Sequence, residues 1–245
     1  MRADDFLAAA DSLPFGTLYA LAGPGGLVVV APHPDDESLG CGGLIAAARA
    51  EGRDVRLVVV SDGCGSHTHS QLYPSDKLRA LREAETLRAV SILGLAAESV
   101  IFLRLPDAHV PSAGPEAEAA AHAVVQAASA CEAGAVFVTW RHDPHCDHRA
   151  SAAIVGLARP QMPGVMIYEY PVWGWTLPPE TEVGPAPDGL RLDVSAYRAA
   201  KARAVAAHES QTTDLISDDP TGFRLEPAMI DRLCGPYERF VRIHT

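Results

Sequence analysis

The sequence predicts an α/β fold: a single-domain, Rossmann-like, three-layer arrangement with a mostly parallel sheet, spanning residues 1–245. Three observations predict it. Short apolar runs rich in β-branched residues recur along the chain, helical stretches separate them, and the connections are short. A strand buried on both faces reads as a continuous apolar run, and reaching a parallel neighbour requires a crossover, usually a helix.

The elements follow in order. Residues 27–31 are compact and β-branched, as a fully buried strand requires. Residues 38–51 predict a helix whose small residues, Gly40, Gly42, Gly43 and the alanines after them, permit close packing on a sheet. A second strand is expected at 55–61. Residues 76–93 place Leu78, Leu81, Ala84, Ala89 and Leu93 at helical spacing, with Gly94 as C-cap. Then come a strand at 100–103, an alanine-rich helix at 115–132, a strand at 135–140, a helix at 148–158 and a strand at 165–170. Residues 171–189, rich in Pro, Gly and acids, read as a long loop. A helix at 194–209 and a last strand at 238–243 complete the reading. No internal repeat occurs.

Composition narrows the function. With 245 residues, 48% of them hydrophobic, the chain can bury one substantial core. A formal net charge of −11 gives the wrong field for general binding to nucleic acid or an anionic membrane. The five cysteines (Cys41, Cys64, Cys131, Cys146 and Cys234) are odd in number, and no C-x-x-C pair occurs. That pattern fits free thiols in a reducing cytoplasm, the expected location. The first residues carry acids and no basic n-region, so no signal peptide is expected. No apolar run reaches the ~18 residues of a membrane span.

Three polar segments stand at predicted strand ends: 33–37, 61–65 and 141–148. In open parallel sheets ligands bind outside the carboxyl ends of the strands, where strand order reverses. The first segment, His33-Pro34-Asp35-Asp36-Glu37, sets one histidine and three consecutive acids between a strand and a helix. Acids at a helix start commonly serve as caps or dipole partners. The second chemistry-bearing segment, His142-Asp143-Pro144-His145-Cys146-Asp147-His148, packs three histidines and two aspartates into seven residues. Together the two segments supply a two-His, one-carboxylate set. Catalytic zinc takes such a set and keeps a fourth position for water, lowering that water's pKa towards ~7. A nearby carboxylate can take a proton, and a histidine can act as electrophile or acid. The residues alone leave open whether Asp35 or Asp36 is the ligand.

His33-Pro34-Asp35-Asp36-Glu37 resembles the H-P-D-D-E motif of the PIG-L/LmbE family of N-acetylglucosaminyl deacetylases. His145-Cys146-Asp147-His148 resembles that family's H-x-D-H motif, and His208-Glu209-Ser210-Gln211 its later H-x-S-Q element. Ser61-Asp62-Gly63, Arg82-Glu83-Ala84-Glu85, Leu93-Gly94 and Phe102-Leu103-Arg104-Leu105-Pro106-Asp107 are similar to intervening blocks, so the resemblance covers about residues 27–215.

The resemblance implies roles. His33, Asp36 and His148 would ligate one Zn2+ per chain. Asp35 would be the general base, His145 would stabilise the oxyanion, and Asp147 would orient a neighbouring histidine. Arg82 and Asp107 are candidate contacts to substrate hydroxyls; a surface ion pair with Glu85 is the alternative for Arg82. Cys146 fills the variable place of H-x-D-H and is expected to be a spectator, while His208 either reaches the site or packs. The implied reaction is removal of an N-acyl group, acetyl first among them, from a small amino-sugar glycoconjugate. The other readings are an amidase of a thiol-conjugated glycoside, a silent sugar-binding relative, and a nucleotide-binding module. The last is opposed by Gly40-Cys41-Gly42-Gly43, which does not fit G-x-G-x-x-G. Tyr73, Trp173 and Trp175 are candidates for stacking on a sugar. Oligomeric state is not legible.

Overall fold

The computed structural model describes residues 1–244. One eight-stranded sheet runs through it. Its strands are β1 (Phe15–Gly16), β2 (Gly26–Ala31), β3 (Val55–Ser61), β4 (Val100–Leu105), β5 (Ala133–Thr139), β6 (Met166–Tyr170), β7 (Gly189–Asp193) and β8 (Tyr237–Arg242). The helices are α1 (Ala3–Ala10), α2 (Leu18–Ala22), α3 (Asp36–Ala50), α4 (Ser75–Ile92), α5 (Pro115–Ala130), α6 (Cys146–Ala158), α7 (Arg198–Ala206), α8 (Glu209–Thr212) and α9 (Pro227–Leu233). The strand order is β1-β7-β8-β6-β5-β2-β3-β4. β8 is antiparallel to both neighbours and the other pairings are parallel, so the α/β class with a mostly parallel sheet holds.

The period-2 geometry of a strand sends successive side chains to opposite faces. Leu27, Val29 and Ala31 accordingly join the apolar layer built with α3, α4 and α7. Val28 and Val30 join the layer built with α5 and α6. Burying each such valine or leucine contributes about 1.5–3 kcal/mol, which explains why these strands stay apolar until their carboxyl ends.

The order also fixes where the site lies. The chain runs from β2 outward to β3 and β4, then returns to place β5 on the other side of β2. The switch point therefore falls between β2 and β5, whose carboxyl ends carry the two histidine-containing segments.

The central helix α3 is buried from Asp36 through Ala48, packed between the sheet, α7 and β8. Its small residues are a steric requirement. A Cβ on Gly40 would come within 2.2 Å of the Tyr170 ring, and one on Gly43 within 2.5 Å of Val194. The Tyr170 hydroxyl donates to the Val30 carbonyl at 2.9 Å, holding the ring against the helix.

Several elements differ from expectation. β7 begins at Gly189, the last residue of the stretch read as loop. Its five residues show no alternation in burial, and its partners β8 and β1 are distant in sequence. α1, α2, β1 and α9 are short and depend on tertiary contacts that no local pattern encodes; Phe6 of α1, for example, stacks on Trp140 at 4.8 Å. The helix expected at 194–209 is broken. After a 3-10 turn at 195–197, α7 ends before His208, whose backbone turns out of the helix (φ −83°, ψ 61°). Among the described residues no helix is long and apolar enough to cross a membrane.

A buried ion pair fastens α7 to the sheet. Lys201 Nζ donates to Glu238 Oε1 at 2.6 Å, and Glu238 also accepts from the Gly43 and Leu44 backbone N–H groups at 2.7 and 2.8 Å. Removing one partner of such a pair leaves a buried charge. Lys201→Met is therefore expected to lower unfolding stability by about 3–5 kcal/mol in urea titration. A loss below about 1 kcal/mol would mean that the two N–H groups alone satisfy Glu238.

Candidate active site

β2 delivers Pro32, His33, Pro34 and Asp35 to the switch point before α3 begins at Asp36. β5 delivers the segment that ends at His145, the N-cap of α6; its Nδ1 accepts the Asp147 N–H at 3.2 Å. Hydrogen bonds between strand ends tighten the crevice: Ser61 N–H donates to Pro32 O, and Asp62 N–H to Leu105 O, both at 2.8 Å.

The centre of the site is one carboxylate oxygen. Asp36 Oδ2 lies 3.1 Å from His33 Nδ1 and 3.2 Å from His148 Nε2, and it also accepts the His33 backbone N–H at 3.0 Å. Tetrahedral zinc with bonds of about 2.0–2.1 Å sets its donors roughly 3.3 Å apart, so these spacings suit one small cation. Each histidine has its other nitrogen tied to a carboxylate. His33 Nε2 lies 3.1 Å from Asp147 Oδ2 and 3.2 Å from Asp107 Oδ1; His148 Nδ1 lies 2.8 Å from Asp143 Oδ2. If those nitrogens carry the protons, the two facing Asp36 present lone pairs to an anion. His148 Nε2 is indeed buried without a hydrogen-bond partner. This arrangement requires a positive charge among the three groups, and a divalent cation meets that requirement.

The proton affinities of these groups agree. Burial alone would push His148 down, but Asp36 and Asp143 outweigh it and carry its pKa to about 9. Burial likewise opposes charge on His33, yet Asp107, Asp147 and Asp36 hold its pKa well above the ordinary value. Burial opposes the charged form of Asp36, and His148 and His33 overcome it, leaving this carboxyl well below the usual range. His33, His145 and His148 offer ligand atoms within 4.8 Å of one another, as do His33, Asp107, His145 and Asp147. In the second group the Asp147 carboxylate is already occupied: Oδ2 accepts from Ala108 N–H at 2.7 Å and Oδ1 from Val110 N–H at 3.1 Å.

Asp35 has the opposite environment from Asp36. Burial pushes its carboxyl up to about 7, with the neighbouring Asp36 charge adding to the rise and Arg82 opposing it. Arg82 is buried on α4; Nη1 donates to Gly63 O at 2.9 Å, and Nη2 donates to Pro34 O at 2.7 Å and reaches Asp35 Oδ2 at 3.3 Å. A surface pair with Glu85 does not form, because Glu85 is itself buried and accepts from Ser210 N and Oγ. His145 is lowered, first by burial and then by the charges of His33 and His148.

A cavity of about 260 Å³ opens beside these groups. His33, Asp35, Asp36, Arg82, Asp107 and His145 line it, whereas Asp147 and His148 stand behind its wall. Asp107 accepts the Gly65 N–H at 2.8 Å while touching His33. Cys146 is exposed, with its sulfur towards Ala108 O. Of the three candidate stacking residues, Trp173 lines the cavity, Trp175 packs beside Arg232 and Arg239, and Tyr73 lies under Lys77.

Other participants were not singled out from the sequence. Phe223 meets Trp173 edge-on at 5.6 Å and closes one side of the cavity. Asp143 sat unassigned within its motif; its Oδ2 gathers His148 Nδ1 with the Val172 and Trp173 N–H groups, linking His148 to the cavity wall. Gln211 also lines the cavity. Ser210 commits its proton to Glu85, so Gln211 Nε2 donates to Ser210 Oγ at 2.9 Å, which orients the amide. Gln211 Oε1 is then left buried without a donor. Its place at the fourth position of H-x-S-Q was the available signal.

Comparison with known proteins adds three structural neighbours. The N,N'-diacetylchitobiose deacetylase of Pyrococcus horikoshii is 20% identical with a TM-score of 0.67, over 91% of this chain and 86% of that one. A conserved protein of Thermus thermophilus is 24% identical with a TM-score of 0.65, over 89% and 94%. GalB, the 4-carboxy-2-hydroxymuconate hydratase of Pseudomonas putida, is 20% identical with a TM-score of 0.59, over 75% and 78%. At these identities the likeness establishes the fold. No curated protein sequence matches. Residues 28–158, just over half of the chain, match the PIG-L family, described as GlcNAc-PI de-N-acetylase. This span contains both histidine-containing segments, and on it the chain belongs to the PIG-L family and is a hydrolase of the deacetylase kind.

Proposed function

We propose that this protein removes the N-acetyl group from an amino sugar in a small glycoconjugate, using one divalent cation held by His33, Asp36 and His148. The observation that carries the reading is the shared Asp36 oxygen, 3.1 and 3.2 Å from two imidazole nitrogens, beside a buried carboxyl raised to about 7. Family membership supports the reaction. Structural neighbours described as deacetylases of diacetylchitobiose and of teicoplanin support an amino-sugar substrate. The cavity volume, about 260 Å³, lies at the small end of ligand sites and suits one sugar ring with its acyl group.

A bound cation would supply Lewis-acid chemistry, lowering the pKa of a water molecule towards ~7 and polarising the acyl carbonyl. Asp35 takes a proton from the attacking water at its carboxylate, which lines the cavity. His145 has its Nδ1 lone pair engaged by the Asp147 N–H, so its proton sits on Nε2. That N–H stabilises the developing oxyanion, and the proton Asp35 has taken from the water is the one it passes to the departing amine. Asp147 orients His33 through Nε2, as Asp143 orients His148 through Nδ1. Arg82 holds Asp35 and, with Asp107 and the free acceptor of Gln211, offers contacts to sugar hydroxyls. Trp173 and Phe223 supply an apolar wall for a sugar face.

Zinc fits the N/O donor set, although such a set also accepts iron or cobalt. One neighbour is described as the zinc inhibited form of teicoplanin deacetylase Orf2, so metal identity is to be measured separately from metal dependence.

The test pairs metal content with acetate release from N-acetylated amino sugars, before and after chelation. The expected result is about one divalent cation per chain and acetate release that chelation abolishes and metal restores. No metal, and no release after metal is added back, would overturn the proposal. Asp35→Asn is expected to retain the cation and lose about 10²–10⁴ in kcat, because the base goes and the ligands stay; loss of metal in this variant would refute the assignment. His148→Ala is expected to lose the cation, and full stoichiometry in that variant would remove His148 from the ligand set.

A further inference from the structure

Asp35 is held in a backbone conformation that its own chemistry disfavours. Its φ is 144° and ψ is −28°, whereas the other non-glycine residues with positive φ (Arg104, Ala108 and Glu132) lie between 47° and 65°, in the left-handed helical range. An L side chain far from any populated basin persists only when its surroundings over-determine it.

The restraints converge on one peptide group, that between Pro34 and Asp35. Its carbonyl accepts from Arg82 Nη2 at 2.7 Å. Its N–H donates to Glu37 Oε2 at 3.0 Å. Both ends of the peptide dipole are thus gripped by oppositely charged side chains, so the peptide cannot flip without breaking both bonds. Glu37 is in turn fixed at its other oxygen: Oε1 accepts from Ser38 Oγ at 2.7 Å and lies 2.9 Å from His208 Nε2. Glu37 and His208 are both fully buried. His208 comes from the break between α7 and α8, so the C-terminal part of the fold reaches the strand end of β2 through this contact.

We propose that Glu37 and His208 are positioning residues: they hold the Pro34–Asp35 peptide in its strained orientation and thereby aim the Asp35 carboxylate at the reacting water. The proposal rests on the reading of Asp35 as the general base. It also gives a purpose to a buried ion pair that belongs to neither candidate metal cluster and does not line the cavity. A pair serving only to glue α8 onto α3 would have no need of the Asp35 N–H.

Glu37→Gln is the first variant. Glu37 accepts at both oxygens, so a glutamine of the same shape turns its NH2 against either Asp35 N–H or the Ser38 and His208 donors. The metal-loaded enzyme is expected to lose at least tenfold in kcat, with KM within about twofold and metal content unchanged. His208→Phe is expected to do the same. His208→Gln places an amide N–H within reach of Glu37 and is expected to recover most of the loss. A second readout needs no activity. Asp35→Gly is expected to have a higher Tm than Asp35→Ala, because glycine relieves the backbone. That difference is expected to shrink in the Glu37→Gln background, where the peptide can relax. Wild-type kcat in Glu37→Gln, or equal Tm values for the glycine and alanine variants, would overturn the proposal, as would loss of metal in step with kcat. A fully active Asp35→Asn enzyme would instead overturn the reading of Asp35 as base, whatever the Glu37 and His208 variants do.

Discussion

A buried anion shared by two imidazoles governs this structure. Asp36 Oδ2 sits between His33 Nδ1 and His148 Nε2, and an ionised carboxylate removed from water is costly unless a positive charge answers it. The two histidines belong to segments more than a hundred residues apart, and only adjacent parallel strands bring them together. The switch point between β2 and β5 is therefore a condition of the chemistry. The closely packed α3, with glycines against Tyr170 and Val194, brings Asp36 close enough to complete the set. The carboxylates behind the histidines extend the same logic. Asp143 and Asp147 are both buried, and each accepts from two backbone N–H groups as well as facing a histidine.

Much of this was legible in the sequence, and the legible parts share a property. Buried parallel strands are read from continuous apolar runs, and 27–31, 55–61 and 135–140 announce themselves as such. His33, Asp35, Asp36, His145, Asp147 and His148 lie in two short segments whose density of ligand-type residues needs no knowledge of distant partners. The illegible parts depend on contacts between distant residues. β7 has five residues, and its identity as a strand comes from pairing with β8. Asp143 was in view as a letter of its motif, but its role follows from Val172 and Trp173, roughly thirty positions away. His208 interrupts a stretch with good helix-forming residues on both sides. The interruption is intelligible only with Glu37 in place, 171 positions earlier.

The site departs from the local rules that the rest of the chain obeys. Asp35 occupies an N-cap position and yet makes no cap hydrogen bond with its side chain. Its backbone lies outside the populated regions, and burial raises its carboxyl towards 7. Strain of this kind costs about 1–3 kcal/mol. Core packing supplies the margin: both faces of β2, β3 and β5 are sealed by aliphatic layers, and the contacts α3 makes on all sides hold its first turn where the site needs it. Local disagreement at Asp35 within a locally consistent fold is the pattern expected of a functional position.

The charged groups and the outer wall of the cavity occupy different parts of the fold. The charged groups stand at strand ends and helix starts, where the backbone is fixed by ladders. The outer wall belongs to two irregular segments that hold each other through side chain to backbone bonds. Asp218 accepts from Ser70 Oγ and from the Gln71 and Leu72 N–H groups, Asp219 accepts from the His69 N–H, and Phe223 N–H donates to Ser66 O. These bonds fix the course of the loops while leaving most of their side chains free to vary. The same fold serves neighbours at 18–24% identity whose descriptions range from deacetylases to a hydratase. Overall shape therefore carries little information about substrate. What distinguishes this chain is the local set: an anion bridged by two histidines, a second carboxyl held beside it by a strained peptide, and the aromatic wall of Trp173 and Phe223.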